Sequence, residues 1–398
     1  MSIDRAETSG IRGTWVSFSH LAIWAYILYG IGVATPYLQT DLRLTDFEAG
    51  LHASAMAVGV LVAGVSVDWV GRLIGPGRLR DLAAVVLVGA LGMVALAPIL
   101  PVSLAGALFL GLGGGTLGTD VTIRLGRFGG AETRRLMSQA NALAMVTAAI
   151  SPIAIGLAAT WLFSWRVALA LPVFALLVLT IVRPREAEAR SSVRLPRSPL
   201  PGAYWLAWLL IVIVVSIEFS FVYWGSTLVG KRTGISSADA TLLASLFIVG
   251  MLVGRLAVGS RLGAVRAPRG LLAAGLVVVL AGASLTWIST VPVLSGLGLL
   301  LGGLGTACLY PIGLTVALHS APNAHLEAAA RATLASGLAV LLAPSVLGLA
   351  ADVVGVVAAW PITLGLALSG LLVLAVAPGS AELPPAGELR RQTGRGPR

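Results

Sequence analysis

Charged residues are scarce in this chain. Only 11% of its 398 residues are Asp, Glu, Lys or Arg, whereas 57% are apolar and the mean hydropathy is +0.93. Because soluble domains carry about 25% charged residues, the composition excludes that class. The apolar residues form long continuous segments, and a bilayer core requires about 20 apolar residues for each spanning helix. The sequence therefore predicts an integral membrane protein built from helices rather than a barrel.

The chain contains a single cysteine, and its two matches to nucleotide-binding motifs lack the features that such motifs require. The single cysteine, Cys308, excludes an internal disulfide and a Cys-based metal site, so we predict a packing role for it. Residues 113–118 match GxGxxG inside an apolar helix without a preceding strand, and residues 225–232 resemble a phosphate-binding loop that lacks its Ser/Thr. We expect no cofactor, no bound metal and no ATPase activity.

Apolar segments recur along the chain at membrane-spanning length. Residues 183–202 interrupt them with charge and proline, which is typical of a flexible linker. The sequence thus predicts bundles at 1–182 and 203–378, joined by a cytoplasmic linker at 183–202 and followed by a disordered polar tail at 379–398. The twelve predicted spans are 15–37, 49–68, 81–100, 103–123, 137–160, 166–183, 203–229, 240–259, 270–289, 292–317, 328–351 and 355–377.

The Lys and Arg residues that give the chain its net charge of +10 are concentrated in alternate predicted loops. Alternating the loops from a cytoplasmic N-terminus places all but four of the 27 Lys and Arg residues on one side, the exceptions being Arg43, Arg166, Lys231 and Arg232. Cytoplasmic loops of membrane proteins carry such an excess. We therefore predict a cytoplasmic (inner) membrane location with both termini cytoplasmic, and no nucleic-acid partner.

Two pairs of segments repeat across the linker at nearly constant separation. Residues 51–62 match 242–253 at an offset of 191, and residues 150–159 match 342–351 at an offset of 192. These pairs relate span two to span eight and span five to span eleven. The sequence therefore predicts two related six-helix halves, an architecture in which transporters bind solutes between the halves.

The loop after span two carries a family signature. The stretch GVSVDWVGR, from Gly64 through Asp68 and Gly71 to Arg72, resembles the GxxxD(R/K)xGR(R/K) loop of the major facilitator superfamily. The resemblance implies an all-α fold of twelve helices in two pseudo-symmetric bundles that work by alternating access. Trp69 and Leu73 depart from the pattern, since basic residues are usual at both positions.

In the family this loop is a latch for the outward-facing state. The resemblance implies that Arg72 contacts Asp120 at the end of span four and that Asp68 contacts the start of span eleven near Arg331. The alternative is that these residues form a tight turn with ordinary cytoplasmic charges. The second half keeps only the glycine and arginine of the loop, at Gly263 and Arg261.

Two further stretches resemble family features. Residues 151–156, SPIAIG, are similar to a degenerate form of the GPxxGG signature of exporters, which favours efflux slightly. A proline kink with a small-residue packing face is the alternative. The pair Trp165-Arg166 resembles an outer-loop pair of the family, with an interfacial anchor as the alternative.

Glu218 lies near the middle of predicted span seven. Ionisable residues at bilayer depth are functional by default, and a low dielectric favours the neutral carboxyl group. We therefore predict proton coupling or substrate binding at Glu218. The alternative is a protonated acid hydrogen-bonded to a neighbouring helix.

The family resemblance implies that helices one, four, seven and ten line a central cavity. Helical periodicity places Phe221 on the face of Glu218 and Tyr223 on another face. These helices contain no basic residue at mid-depth, which favours a neutral, cationic or amphipathic substrate. Packing is the alternative role for each aromatic residue, and for Asn141 of span five. The cavity candidates are Trp24, Tyr26, Tyr29, Thr116, Asn141, Phe221 and Tyr310.

Together these features predict a monomeric secondary active transporter rather than an enzyme. Its partners would be a small organic solute, protons and the lipid bilayer, with coupling through Glu218 and a slight preference for efflux. Proton-coupled uptake of a small nutrient such as a sugar is the alternative direction. Two alternatives from other classes are a non-transporting membrane sensor and a membrane enzyme that acts on lipids.

Overall fold

The computed structural model describes residues 3–162, 164–182, 200–259, 268–321 and 324–376, and within these ranges every regular element is helical. The predicted linker lies outside the described residues except for its last three positions, and the predicted tail lies outside them entirely. The helices are α1 (Ile3–Leu42), α2 (Asp46–Ile74), α3 (Pro76–Ala95), α4 (Leu100–Gly126), α5 (Gly130–Trp161), α6 (Trp165–Leu169 and Ala170–Val182), α7 (Gly202–Thr233), α8 (Ser237–Gly259), α9 (Pro268–Ile288), α10 (Pro292–Thr306 and Leu309–His319), α11 (His325–Val354) and α12 (Val356–Ala359 and Pro361–Val376).

Eleven helices of the described chain are long and apolar enough to span a membrane. The remaining one, α3, has 20 residues and carries Arg78, Arg80 and Asp81 near its start. It follows α2 in the chain and packs mainly against α4. The prediction of a polytopic all-α membrane protein is therefore confirmed.

The predicted boundaries of span three were wrong. The structure ends α3 at Ala95 rather than near residue 100, because Pro98 and Pro101 flank a turn before α4. The turn into α3 is made by Gly75, whose φ of +86° is accessible to glycine at low cost. Gly64 and Gly71, which the sequence suggested for this turn, both lie inside α2.

Glycine packing confirms that the two halves are related. A Cβ atom on Gly111 of α4 would lie 1.9 Å from the carbonyl oxygen of Met56 in α2. A Cβ atom on Gly303 of α10 would lie 1.9 Å from the carbonyl oxygen of Phe247 in α8. These residues correspond at the sequence offsets of 192 and 191, so α2 crosses α4 as α8 crosses α10.

We call the side at which α1 ends and α2 begins the outer side, following the order of the charges. Near this side α5 meets α8 and α11 meets α2, in two related contacts. A Cβ atom on Gly156 would lie 3.3 Å from the carbonyl oxygen of Ala238, and one on Gly348 would lie 2.4 Å from that of Asp46. The repeat segments therefore hold the halves together.

The first turn of α2 is capped from the opposite half. The carboxylate of Asp352, at the end of α11, accepts the backbone N–H groups of Asp46 at 2.6 Å and Phe47 at 3.0 Å. Thr45 and Glu48 complete the turn with a capping box. Asp352 thus satisfies donors that a helix N-terminus leaves unpaired, and it does so across the interface.

Candidate functional site between the two halves

Glu218 of α7 meets Tyr29 of α1 at the interface between the halves. The Tyr29 hydroxyl donates a hydrogen bond to Glu218 Oε1 at 2.5 Å. Both residues are buried, with exposed fractions of 6% and 7%. The structure thus brings together two of the predicted site residues, one from each half.

The face that α7 turns toward α1 differs from the predicted one. A Cβ atom on Gly32 of α1 would lie 2.6 Å from Val222 and 3.1 Å from the ring of Tyr223. Phe219 stacks on Tyr29 with ring centres 6.4 Å apart, and on Tyr223 at 6.3 Å. The expectation that Tyr223 points away from this face was wrong, because α1 covers a broad arc of α7.

Phe221 does not lie beside Glu218. Its ring stacks on Phe247 of α8 at 4.7 Å and meets Trp360 edge-on at 5.1 Å. A Cβ atom on Gly302 of α10 would lie 2.7 Å from the same ring. Phe221 therefore fills the interior of the second half, and its placement in the cavity is corrected.

Arg255 of α8 is a basic residue inside a candidate span, although the sequence interpretation assigned no basic residue to the cavity. Its Nε donates to the carbonyl oxygen of Ala307, between the two segments of α10, at 3.0 Å. The signal that could have identified it is the one that identified Glu218, namely an ionisable residue inside a predicted span, 240–259. It was missed because α8 is not among the helices that the resemblance assigns to the cavity.

The first half holds Trp24 and Tyr26 within its own packing. The ring of Trp24 occupies the space above Gly114 of α4, where a Cβ atom would lie 1.9 Å from it. The Tyr26 hydroxyl donates to the carbonyl oxygen of Ala168 in α6 at 2.9 Å. Neither contact joins the Glu218 group, and the glycines of residues 113–118 serve helix packing.

Three more predicted residues lie apart from one another. Thr116 bonds the carbonyl oxygen of Leu112 within α4, and the exposed Asn141 bonds that of Met137 within α5. Tyr310 lies in the second segment of α10 and is partly buried. Within the described residues, none of these three forms a hydrogen bond with Glu218.

The latch residues gather at the inner end of α2 without the predicted contacts. Asp120 lies 3.9 Å from Arg80 and 3.9 Å from Arg124 rather than pairing with Arg72. Arg331 bonds Glu327 of its own helix at 2.9 Å.

The predicted latch pairs are therefore absent from this arrangement. Asp68, Gly71, Arg72 and Asp120 line one small cavity of about 80 Å³, whereas a Cβ atom on Gly64 would meet nothing within 4 Å. The contacts of the described residues do not test the latch role, which stays a prediction.

A larger cavity lies on the outer side, away from Glu218. Its volume is about 830 Å³, and its lining includes Gln39, Asp46, Ser226 and Lys231. Ser226 is eight residues beyond Glu218, about 12 Å along α7. The buried acid therefore lies beneath this vestibule rather than in its wall.

Trp165 and Arg166 tie the outer end of the first half together. Both side chains bond Asp41 at the end of α1, at 3.0 Å and 2.7 Å, and Arg166 also bonds the carbonyl oxygen of Ala95. The guanidinium lies 5.0 Å from the centre of the Trp165 ring. This geometry gives the pair a structural role.

Comparison with known proteins identifies the fold. No family model and no curated protein sequence matches the chain. Solved transporter structures do match it over nearly its full length. A bacterial homologue of the human lysosomal transporter Spinster, in an inward-facing and unoccupied conformation, has a TM-score of 0.72 at 12% identity, covering 92% of this chain and 97% of that one.

Two further structures agree with this match. The D-xylose-proton symporter has a TM-score of 0.75 at 14% identity, covering 94% of this chain and 98% of that one. The nucleoside transporter NupG has a TM-score of 0.69 at 14% identity, covering 94% and 100%. This chain has the major facilitator fold. The resemblance carried by Gly64–Arg72 is confirmed at the level of the fold.

Proposed function

We propose that this protein is a proton-coupled secondary active transporter of a small organic solute, acting by alternating access in the cytoplasmic membrane as a monomer. The observation that carries the proposal is the buried hydrogen bond between Tyr29 of the first half and Glu218 of the second. Rocking of the halves would break this bond and expose Glu218 to the opposite side. A carboxyl group in that position can exchange a proton with either compartment.

The outer contacts of Asp352, Gly156 and Gly348 support the same mechanism. They join the two halves on the side on which α2 begins, whereas no described residue of the second half bonds Asp68 or Arg72 at the inner end. We infer an inward-facing state from this difference. Alternating access requires that these outer contacts break when the latch residues engage.

The direction of transport is a separate part of the proposal. The exporter-like segment at 151–156 packs Gly156 against α8, and its counterpart packs Gly348 against α2 in the same way. Because interface packing accounts for the segment, it gives no preference for efflux over uptake. A sugar or nucleoside cargo is motivated by the fold shared with the D-xylose-proton symporter and NupG.

The test is solute flux in proteoliposomes under an imposed pH gradient. We would screen D-xylose, nucleosides and small organic anions, and compare the native chain with Glu218→Gln. We expect gradient-driven accumulation in the native chain and its loss in Glu218→Gln, because an amide cannot carry a proton. Glu132→Gln is the control, since Glu132 is exposed and pairs with Arg135.

Two results would count against the proposal. Equal accumulation by the native chain and Glu218→Gln would remove Glu218 from the coupling. If solute accumulation by the native chain did not respond to the pH gradient, the proton would not be the coupling ion. The sign of the flux distinguishes uptake from export.

A further inference from the structure

Three hydroxyl groups on α7 lack hydrogen-bonding partners. The hydroxyl oxygens of Tyr223, Ser226 and Thr227 are buried, and within the described residues none of them bonds another group. Their spacing of three and four residues places the side chains on one face of the helix. We call these three residues the hydroxyl stripe. A buried hydroxyl group that gives up water without gaining a partner is unfavourable, so the stripe destabilises the arrangement in which it is buried.

Hydroxyl groups elsewhere on α7 do have partners. Ser220 donates to the carbonyl oxygen of Ser216 at 2.8 Å, and Thr233 donates to that of Val229 at 2.8 Å. Both bonds reach back four residues along the helix, which is a usual arrangement for Ser and Thr inside helices. The serine and the threonine of the hydroxyl stripe form no such bond within the described residues. The lack of partners is therefore specific to the stripe.

The face of α1 opposite the hydroxyl stripe offers it no polar side chain. The ring of Tyr223 lies against α1, where a Cβ atom on Gly32 would be 3.1 Å from it. One turn further along α1, Pro36 lines the outer vestibule together with Ser226 and Thr227. Neither glycine nor proline has a polar side-chain atom, and Pro36 has no N–H group for the helical bond to the Gly32 carbonyl oxygen. This contact between the halves thus contains polar groups that do not pair.

The hydroxyl stripe runs from the level of the buried acid toward the outer side. At its inner end Tyr223 stacks on Phe219, which also stacks on Tyr29. The Tyr29 hydroxyl in turn bonds Glu218. At its outer end the other two residues of the stripe line the vestibule. Separation of α1 from α7 on the outer side would therefore extend the vestibule along the stripe and give its hydroxyl groups access to water.

We propose that the hydroxyl stripe favours opening of the outer side. The contacts of Asp352, Gly156 and Gly348 join the halves on that side. The stripe opposes them, because its hydroxyl groups gain hydrogen bonds only when α1 and α7 separate. This inference rests on the proposed alternating access and adds that the closed outer side is held only weakly. In the opened path the same hydroxyl groups would be available to a polar solute on its way to Glu218.

The test is the rate at which a cysteine in the hydroxyl stripe becomes accessible. Ser226→Cys in a Cys308→Ala background places a single cysteine where the native side chain is only 2% exposed. A polar maleimide added to the purified full-length protein then reacts with this cysteine only after opening. When opening and closing are fast, the reaction rate is proportional to the open population. Ser237→Cys, at an exposed position of the vestibule lining, gives the rate for an accessible site.

Tyr223→Phe and Thr227→Val each remove one unpartnered hydroxyl group and preserve the approximate shape of the side chain. Each should slow the modification of Ser226→Cys about fivefold or more, because the closed state no longer buries that hydroxyl group unpaired. Thr363→Val and Ser295→Ala are the matched controls. Their hydroxyl groups are also buried without a partner among the described residues, but they lie in α12 and α10 and do not line the vestibule. Both controls should leave the modification rate unchanged.

Three results would overturn the proposal: an unchanged modification rate in both stripe variants, a faster rate in variants that keep the native unfolding temperature, or no modification of Ser226→Cys while Ser237→Cys reacts fully. The measurement uses neither solute nor a pH gradient, so gradient-driven flux through Glu218 could persist after any of these results. Only the role of the hydroxyl stripe would then be wrong. Conversely, slowed modification in a protein whose flux ignores the pH gradient would contradict the proton coupling and leave the stripe's role intact.

Discussion

At the scale of single residues, Tyr29 connects the two halves through one hydrogen bond at the level of the buried acid. Sequence position alone ranked it with six other cavity candidates. The structure separates it from them, because its hydroxyl meets Glu218 whereas that of Tyr26 meets a backbone carbonyl in its own half. The two tyrosines therefore form a natural comparison.

Tyr29→Phe is expected to lower gradient-driven accumulation about tenfold, because a hydrogen bond to a charged group contributes roughly 1.5 to 3 kcal/mol. The measurement is solute accumulation in proteoliposomes as a function of the imposed pH gradient. Tyr26→Phe should behave like the native chain. If both variants accumulate solute equally well, Tyr29 has no part in the coupling.

At the scale of helices, small residues decide how closely neighbours cross. Gly111 and Gly303 lie against backbone carbonyl groups of α2 and α8, so any side chain there would displace an entire helix. By contrast, a Cβ atom on Gly89 of α3 meets nothing within 4 Å. Composition counts all three as glycine, and only the packing distinguishes them.

Gly111→Ala and Gly303→Ala should each destabilise the protein by about 1 to 3 kcal/mol or more, the usual range for overpacking. Gly89→Ala should leave the stability unchanged or raise it slightly, since alanine favours a helix over glycine. Unfolding temperatures of the three variants in detergent provide the comparison. Equal temperatures would mean that the α2–α4 and α8–α10 crossings can widen freely.

At the scale of the whole molecule, contacts across the interface join the two halves on the outer side. Asp352 contributes by capping α2 from the second half, whereas the predicted latch residues Asp68 and Arg72 form no bond with a described residue of that half. The two sets of residues lie at opposite ends of α2. Each would therefore stabilise a different state.

Asp352→Ala should shift the protein toward the outward-facing state, because loss of an N-cap costs about 1 kcal/mol, roughly a fivefold change in the ratio of states. Asp68→Asn should shift it the other way if the latch prediction holds. Spin-label distances between Leu96→Cys and Val293→Cys on the outer side, in a Cys308→Ala background, report the two populations. Unchanged distances in both variants would leave these residues with structural roles only.

Much of this fold could be predicted from the sequence. Apolar segments of spanning length and the order of charges indicate helices that cross a membrane, because in lipid only helices and closed barrels satisfy every backbone polar group. The offsets of 191 and 192 indicate two related bundles, because duplication preserves the spacing of segments. Glu218 was identifiable for the same reason, since an acid in a long apolar run has few structural explanations.

The tertiary structure alone decided which side chains meet. Periodicity placed Phe221 with Glu218, yet Phe221 packs inside its own half while Tyr29 of the first half bonds the acid. Which side chains face each other depends on how the helices cross. Those crossings are determined by glycines that are distant in the sequence. The sequence by itself determined that an acid lies within an apolar span of an all-α polytopic membrane fold. Only the tertiary structure brought Tyr29 of the first half into contact with this acid, because that contact joins residues from separate helices whose crossing is fixed by packing.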